Sequence, residues 1–512
     1  MSTVPVLDEK VQLKVEQFKK LDEKLCHYSD VLGLLGWDSK TKAPKKGRAL
    51  FAKAIGTLST ESFKLSISEE MGEVLEFLTA DDVWAQLDEV TKACVKERKK
   101  NYEKSKTIPA DEYQEYVILV NNANQSWEEA RDKNDFASFA PVLEKVLAFK
   151  KKFAEYYGYE GHPYNALLNE YEPGLTVEKL DPLFKELREK SVDLLNRIKA
   201  SNAQPREDIF AQEYDVEAQK KFNAYLLPLI GFDMEGGRLD ETVHPFAQSV
   251  NTGDVRITTR YQKDNVRSAI FGTIHEAGHG MYEQGVNTDY EGTVIRRGTS
   301  FGIHESQSRF LENMVGRSKE FWTYFYSDLQ NHFPDQLNDV SLDDFYRATN
   351  RVDASLIRVE ADELTYNLHI MIRYEIEKAL FGGEIEVKDL PQVWNQKFED
   401  YLGITPPTDT LGVLQDIHWS FGGFGYFPSY SLGNLYAAQI LYTFLKEMPD
   451  FYDKIEQGDF MAIREWLKEN IHQHGKLYSP NELIVKVTGE ELDAKYLIRY
   501  LEEKYAEIYQ LS

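Results

Sequence analysis

Residues 274–280 contain the pattern on which the interpretation of this chain depends, and they read Ile274-His275-Glu276-Ala277-Gly278-His279-Gly280. On an α-helix, side chains four positions apart lie on one face, so His275 and His279 can direct two imidazole nitrogens at one point. Such a point suits a zinc ion. Glu276 is rotated away from the two ligands and can reach a water that the ion polarises. The pattern therefore predicts a metal centre with Glu276 as general base.

The flanking residues independently predict that this segment is helical. Asp264 and Asn265 are suitable N-cap residues, and Gly285 is a suitable C-terminal stop. The apolar residues between them recur at steps of three and four positions: Val266, Ala269, Ile270, Ile274 and Met281. We therefore expect the two histidines to lie on the same face of one helix.

The composition excludes some classes of protein. The chain has 512 residues, with 60 Lys and Arg against 85 Asp and Glu, which gives a net charge of −25. A surface of this sign repels nucleic acids, so we expect no nucleic-acid partner. The length is sufficient for two or three lobes around a deep cleft.

The first residues and the two cysteines predict a cytoplasmic protein. Met1-Ser2-Thr3-Val4-Pro5 leads directly into charged sequence, and no apolar run has membrane-spanning length, so we expect neither export nor a membrane location. Cys26 and Cys94 form no C-x-x-C pair, which argues against a disulfide framework and against a thiolate metal site. Both cysteines are expected to be small buried residues.

Apolar periodicity predicts a mostly α-helical chain. The first helix is expected to end where Gly36-Trp37-Asp38 interrupts the pattern. Helical patterns occur at about 7–35, 48–58, 84–106, 110–132, 137–158, 176–198, 215–229, 353–381, 388–402, 433–447, 460–473 and 489–509. The charged run Lys96-Glu97-Arg98-Lys99-Lys100 is interpreted as a solvated helix face without a function.

A single strand is predicted directly before the metal-binding pattern. Val255-Arg256-Ile257-Thr258-Thr259-Arg260-Tyr261 has the alternation and the β-branched residues of a short strand. We expect its edge to form one wall of the active cleft, where it could pair with an extended peptide.

The third metal ligand has to come from another segment, because a catalytic zinc site usually takes three protein ligands. A further helix is predicted from about Ser300 to a stop at Gly316. If it packs antiparallel to the first, Glu305 can reach the metal, 26 positions after His279. His304 and Glu312 are rivals for this role, and spacing leaves the choice open.

Six short stretches, in order along the chain, resemble the motifs of the M32 metallocarboxypeptidases, also called the thermostable carboxypeptidase family. They are His244-Pro245-Phe246; Asp254-Val255-Arg256-Ile257-Thr258; the H-E-x-x-H at 275–279; His304-Glu305-Ser306-Gln307; Ile357-Arg358-Val359-Glu360-Ala361-Asp362; and Gly412-Val413-Leu414-Gln415-Asp416-Ile417-His418-Trp419. The resemblance spans most of the C-terminal two-thirds of the chain. The first 230 residues carry fewer signatures, although Trp37-Asp38 with Pro44 is similar to the family.

The resemblance implies a large, mostly α-helical peptidase with a long central groove and only a short β element beside the site. It implies a homodimer that releases single C-terminal residues from peptides with a free C-terminus. Glu305 is implied as the third ligand of one divalent metal per subunit, with zinc expected and cobalt as the alternative. We expect residues 1–230 to form a helical lobe over the groove and 231–512 the catalytic lobe, with no clear linker between them.

Catalysis by this site needs a base and a donor to the developing oxyanion. Glu276 is expected to take a proton from the attacking water and to pass it to the leaving amine. The candidates for the oxyanion donor are His418 and one of Tyr426 or Tyr430. By the same family logic, Asp416 is expected to orient a ligand histidine.

A carboxypeptidase must also bind the terminal carboxylate of its substrate, and a planar guanidinium does so with two hydrogen bonds. Arg358 and Arg256 lie in the two family-like stretches that contain an arginine, so both are predicted to bind substrate. His244 is a further substrate-binding candidate.

Two other functions compete with this one. An oligoendopeptidase or dipeptidyl carboxypeptidase of related fold keeps the metal but cuts elsewhere. A non-catalytic helical binding scaffold would leave the H-E-x-x-H pattern inert. Chelation of the metal tests the second alternative, and the lengths of the products test the first.

Overall fold

Helices dominate the computed structural model, which describes residues 8–511. Before the sheet, the α-helices are α1 (Glu9–Lys40), α2 (Arg48–Ser66), α3 (Glu69–Leu78), α4 (Asp81–Trp84), α5 (Glu89–Thr107), α6 (Ala110–Lys133), α7 (Phe136–Tyr157), α8 (Asn165–Tyr171), α9 (Val177–Ala200) and α10 (Val216–Leu229). Three strands follow: β1 (Gly237–Glu241), β2 (Ala247–Asn251) and β3 (Asp254–Thr259). The prediction of a mostly helical chain with a short β element is confirmed.

The remaining helices make up the second half of the chain. They are α11 (Val266–Gly285), α12 (Phe301–Arg309), α13 (Lys319–His332), α14 (Pro334–Leu337), α15 (Leu342–Thr349), α16 (Glu363–Gly382), α17 (Leu390–Leu402), α18 (Pro428–Glu447), α19 (Phe451–Glu456), α20 (Phe460–Asn470), α21 (Pro480–Thr488) and α22 (Lys495–Tyr509). A π-helical turn, Phe310–Val315, continues α12. Within residues 8–511, none of the helices combines the length and the apolar character that crossing a bilayer requires.

The first helix is longer than its pattern predicts. α1 continues through Gly36-Trp37-Asp38, where we expected it to end, and stops at Lys40. Trp37 is buried and packs against Phe246, with the ring centres 5.2 Å apart, so tertiary packing outweighs the local helix-breaking tendency. Pro44 then prevents the helix from resuming at once, since proline restricts the residue before it to extended conformations.

The buried side chains form two clusters. The larger one extends from Ala123 to Tyr509 and includes residues of α7, α9, α11 and α18. The smaller one joins α1, α3 and α5 to Val286, Tyr290 and Ile295. Cys26 and Cys94 are unpaired and buried, as predicted. The division into lobes at residue 230 stays a prediction.

The sheet corrects one prediction about the cleft. Its strand order is β1-β3-β2, with β3 parallel to β1 and antiparallel to β2. The predicted strand is therefore the central one, and both of its edges are already paired. The edge that a peptide could use belongs instead to β2, whose sequence Ala247-Gln248-Ser249-Val250-Asn251 carries too weak a strand pattern to be recognised.

α11 carries the H-E-x-x-H pattern and has the predicted boundaries. The Asn265 side chain caps it by accepting the N–H of Ser268, and the helix ends at Gly285. At Gly278 the backbone of α12 approaches so closely that an added Cβ would lie 2.5 Å from the Gln307 carbonyl oxygen. The absence of a side chain at Gly278 therefore allows α12, which carries Glu305, to pack closely against the metal-binding face of α11.

Candidate metal centre and peptide groove

His275, His279 and Glu305 converge in a single cluster. One ligand atom from each lies within 4.8 Å of the others. The nearer carboxylate oxygen of Glu305 is 3.6 Å from Nε2 of His275 and 3.3 Å from Nε2 of His279. Two imidazoles and a carboxylate are a donor set that suits zinc and similar divalent ions. The side chains therefore fit a divalent metal, and of the three candidates for third ligand Glu305 is the one that joins the histidines.

His304, the first rival, lies behind His279. Its Nδ1 atom is 2.6 Å from Nδ1 of His279, and its Nε2 atom is 3.0 Å from a carboxylate oxygen of Glu283. The buried Glu283 is further held by Arg297 at 3.5 Å. Although burial opposes ionisation, the neighbouring His304 and Arg297 keep the pKa of Glu283 well below its usual range. This chain of contacts fixes the orientation of the His279 ring.

Glu312, the second rival, lies behind the other histidine. Its carboxylate is 2.9 Å from Nδ1 of His275 and accepts hydrogen bonds from Arg309 at 3.2 Å and Arg317 at 3.0 Å. Arg309 also donates to Glu305 at 2.8 Å. Burial raises the pKa of Glu305, but Arg309 and the two histidines outweigh it and hold that pKa well below its usual range. His304 and Glu312 thus each orient one of the two ligand histidines.

Glu276 lies beside the cluster and lines the groove without joining the ligand set. Its side chain is buried, and burial raises the pKa of Glu276 to about 7. The position of this carboxylate next to His275 is the one that the sequence predicts for a general base.

A groove with a volume of about 1680 Å³ runs past the cluster. The edge strand β2 forms part of its wall through Ala247, Gln248 and Ser249. The Phe246 carbonyl oxygen accepts a hydrogen bond from the N–H of Thr258 at 3.0 Å. In an antiparallel pair, every second residue bonds to the partner strand, and the residue between points its N–H and C=O groups outward. The backbone of Ala247 therefore faces away from β3. This strand therefore offers one free backbone position to an extended peptide.

Tyr426 and Tyr430 line the same groove. Nε2 of His418 is 3.4 Å from the Tyr430 hydroxyl oxygen. Burial lowers the pKa of His418 to about 3, so the imidazole is neutral at physiological pH. The predicted oxyanion donors are thus brought together at one side of the metal cluster.

Arg358 lies directly behind these tyrosines. Its guanidinium carbon is 5.0 Å from the centre of the Tyr430 ring, and the side chain is nearly fully buried. Asp416 binds it at 2.7 Å and binds Arg373 at 2.6 Å. Asp416 therefore holds two arginines. It does not contact a ligand histidine, contrary to the prediction, because Glu312 and His304 already fill those positions.

Arg256 and His244 are not brought to the cluster. Arg256 forms two hydrogen bonds of 2.7 Å with Asp254. It projects from the face of β3 opposite to Ile257, which packs against α11. His244 is exposed on a loop, although the next residues, Pro245 and Phe246, line the groove.

The charged run in α5 is solvated in part, since Lys96 and Lys100 are exposed as predicted, but its face also borders the groove. Lys96, Glu97, Lys99 and Lys100 line the groove, whereas Arg98 turns away and pairs with the buried Asp22 at 2.5 Å. The periodicity of α5 shows which face is polar, but whether that face meets bulk water or a groove depends on the packing of the whole helix.

Sequence reasoning overlooked Glu283 and Arg309, the charged residues that support the ligands from behind. Glu283 follows His279 by four positions on α11, and Arg309 follows Glu305 by four positions on α12. This spacing places each on the face of its ligand. This spacing of four positions was the one feature of the sequence that could have identified Glu283 and Arg309.

Comparisons with known proteins agree with this geometry. A family model described as Carboxypeptidase Taq (M32) metallopeptidase matches residues 17–505. Carboxypeptidase 1 of Bacillus subtilis is 50% identical, covering 97% of this chain and 99% of that protein. Thermostable carboxypeptidase 1 of Thermus thermophilus is 42% identical over 96% of this chain and 98% of that protein. The crystal structure of an M32 carboxypeptidase from Deinococcus radiodurans superposes with a TM-score of 0.94 at 36% identity, covering 97% of this chain and all of that one.

Proposed function

Because the chain belongs to the Carboxypeptidase Taq (M32) metallopeptidase family, as its six motifs predict, we propose that it releases single C-terminal amino acids from peptides. The observation that carries the proposal is the convergence of His275, His279 and Glu305 beside Glu276 at the floor of a large groove. Such a groove accommodates an extended chain whose last peptide bond reaches the cluster.

His275, His279 and Glu305 are proposed to hold one divalent metal per subunit, with zinc as the expected ion and cobalt as the alternative. A metal with these ligands would act as a Lewis acid toward the substrate carbonyl and would lower the pKa of water at the site. The support for this set is its donor chemistry and the partner that each ligand has behind it: Glu312 for His275, His304 for His279 and Arg309 for Glu305.

Glu276 is proposed to act as general base and then as general acid. Its carboxylate takes the proton of the attacking water and later delivers it to the nitrogen of the leaving amino acid. Tyr426 or Tyr430 would donate a hydrogen bond to the carbonyl oxygen as negative charge develops on it. His418 positions the Tyr430 hydroxyl from behind.

Arg358 remains the proposed ligand of the substrate carboxylate. It is supported by its place behind Tyr430, next to the groove, whereas Arg256 is ion-paired with Asp254 and does not line the groove. Asp416 and Tyr366 hold the Arg358 guanidinium in place and still leave N–H groups free for a carboxylate. His244 is proposed only to contact the outer part of a peptide, from the rim of the groove.

The test is a time course of peptide digestion followed by mass spectrometry. A decapeptide with a free C-terminus should shorten one residue at a time from that end, and a chelator should stop the reaction until zinc or cobalt is added back. Internal fragments or steps of two residues would favour the oligoendopeptidase or dipeptidyl carboxypeptidase. No product with the metal-loaded protein would overturn the proposal.

A homodimer is also proposed, with α2 as the contact surface. No residue of this helix is buried in the monomer, and its apolar side chains Leu50 and Phe63 are 73% and 47% exposed. A second copy that covers this face would bury them. Light scattering after size-exclusion chromatography should give a dimer mass for the wild type and a monomer mass for Leu50→Lys with Phe63→Lys.

Cytoplasmic location is proposed from the chemistry of the cysteines. Cys26 and Cys94 are both buried as free thiols, which is usual for proteins of a reducing compartment. Fractionation of the source cells followed by immunoblotting would test this location.

A further inference from the structure

We propose that the groove selects peptides with acidic side chains upstream of the cleaved residue, through a lysine wall formed by Lys96, Lys99, Lys100 and Lys104 of α5 together with Lys476. The inference rests on the proposed carboxypeptidase function and specifies its substrate class. The ligand that this wall would take is an anionic peptide segment bound by ammonium groups.

The lysine wall lines the same groove as the metal cluster. All five lysines border it, as do His275, His279 and Glu305. Tyr171 connects the two regions, because its ring centre lies 5.1 Å from that of Tyr426, and its neighbour Glu170 binds Lys104 at 3.0 Å. A peptide that leaves the cluster along this side of the groove therefore meets α5.

The charges of the wall are only partly neutralised. Glu97 binds Lys476 at 3.7 Å, and Glu103 approaches Lys99 at 3.9 Å. Glu170 is shared between Lys104 and Lys150. Among residues 8–511, no carboxylate forms a direct ion pair with Lys96 or Lys100, and Glu482 and Glu97 act on them only from a longer distance. The five lysines of the wall thus have three carboxylates as direct partners, in a protein whose net charge is −25.

The neighbouring lysines also affect one another. Burial in the groove is the main cause that lowers the pKa of Lys100; Glu97 opposes it, while Lys476, Lys104 and Lys96 lower it further. An anionic peptide would relieve this repulsion between like charges, and a neutral peptide would not.

The polarity of the reaction decides which substrate residues meet the wall. An enzyme that releases one residue has only that residue on the carboxyl side of the cleaved bond. In an extended peptide each residue advances about 3.3 Å, so a groove of this size is occupied mainly by residues on the amino side. The lysine wall therefore faces the residues that precede the cleaved one.

The experiment compares three peptides that differ only in the three residues before a common C-terminal Ala-Leu: Glu, Gln or Lys. At low ionic strength kcat/KM should fall in the order Glu, Gln, Lys, with the Glu peptide favoured over the Gln peptide by about fivefold, as expected for two exposed ion pairs. Added salt should reduce the preference. Equal values for the three peptides would overturn the inference and leave the carboxypeptidase function intact.

A pair of double variants assigns the preference to the wall. Lys96→Gln with Lys100→Gln should reduce the Glu-to-Gln ratio toward one. Lys92→Gln with Lys106→Gln removes the same charge from α5 at positions that do not line the groove, and should keep the ratio of the wild type. If both double variants keep the ratio, or both lose it, the lysine wall is not its cause.

A binding measurement separates this inference from the proposed function. Fluorescence anisotropy of the amino-terminally labelled peptides with the Glu276→Gln protein reports binding without turnover. Tighter binding of the Glu peptide, weakened by Lys96→Gln with Lys100→Gln, would support the lysine wall even if the wild-type protein hydrolyses none of the peptides. Equal binding of the three would refute it.

Discussion

The Nδ1 atoms of His279 and His304 lie 2.6 Å apart, which requires one to donate and the other to accept. If His279 uses Nε2 as a metal ligand, its Nδ1 carries the proton and donates to His304. His304 then has its own proton on Nε2, where it donates to Glu283 at 3.0 Å. The chain from ligand to carboxylate therefore fixes the tautomers of both rings.

Replacement of His304 should weaken metal binding without removing a ligand. We expect His304→Ala to lower metal affinity by about tenfold, because the His279 ring loses its orienting partner. Competition with a chromophoric chelator measures this affinity, and activity should recover at high metal concentration. His332→Ala, at the end of α13, is the control and should bind metal like the wild type. Unchanged affinity in His304→Ala would contradict this role.

Glu276→Gln should keep its metal and lose nearly all hydrolysis. The amide cannot accept the proton of water, and a general base contributes about 10²- to 10⁴-fold to such reactions. Elemental analysis gives the metal content, and peptide turnover gives kcat. Glu217→Gln, on the exposed side of α10, is the matched control. A kcat within tenfold of the wild type would exclude Glu276 as the base.

Arg358→Ala should impair cleavage of peptides with a free C-terminus far more than any residual cleavage of amidated peptides. Asp416 keeps Arg373 as a partner at 2.6 Å, so the variant should still fold. Arg256→Ala is the control, since that arginine pairs with Asp254 and does not line the groove. We expect kcat/KM to fall by about 100-fold in Arg358→Ala and by much less in Arg256→Ala. Equal losses on free and amidated peptides would refute carboxylate binding.

Gly278→Ala should disturb the metal site through the backbone of α12. The added Cβ would lie 2.5 Å from the Gln307 carbonyl oxygen and 2.6 Å from the Ser308 Cα atom, so α12 and Glu305 must shift. We expect a lower melting temperature and reduced metal content. Gly272→Ala lies on the same helix with no atom within 4 Å of the new Cβ, and it should be harmless or stabilising. Similar behaviour of the two variants would contradict this packing argument.

Glu377 should make stability depend on pH. Burial raises the pKa of Glu377 to about 7, although it accepts hydrogen bonds from Gly425, Tyr164 and Trp419. The native carboxyl then binds its proton more tightly than the unfolded one, whose pKa is near 4.5. Its contribution to stability is complete below pH 4.5 and is lost as the pH rises toward 7, by at most about 3 kcal/mol.

Comparison of the wild type with Glu377→Gln measures this contribution, since the variant has no carboxyl to titrate. The difference in melting temperature, wild type minus variant, should decrease between pH 4.5 and pH 7. Parallel curves for the two proteins across that range would show that Glu377 does not titrate there.

Local sequence was sufficient for the helical class and for the helix that carries His275 and His279. A cap at Asn265, a stop at Gly285 and periodic apolar residues between them are properties of one segment. The extent of α1 was not predictable in this way, because the burial of Trp37 against Phe246, 209 positions away, keeps the helix intact.

The sequence by itself determined that two histidines and a glutamate lie together on α11, because helix geometry relates positions within one turn. Only the tertiary structure decided which of His304, Glu305 and Glu312 completes the ligand set, which strand has a free edge, and that α5 turns its lysines toward the groove. These outcomes depend on how α12, β2 and α5 pack against other elements, and that packing is determined by contacts between residues far apart in the chain.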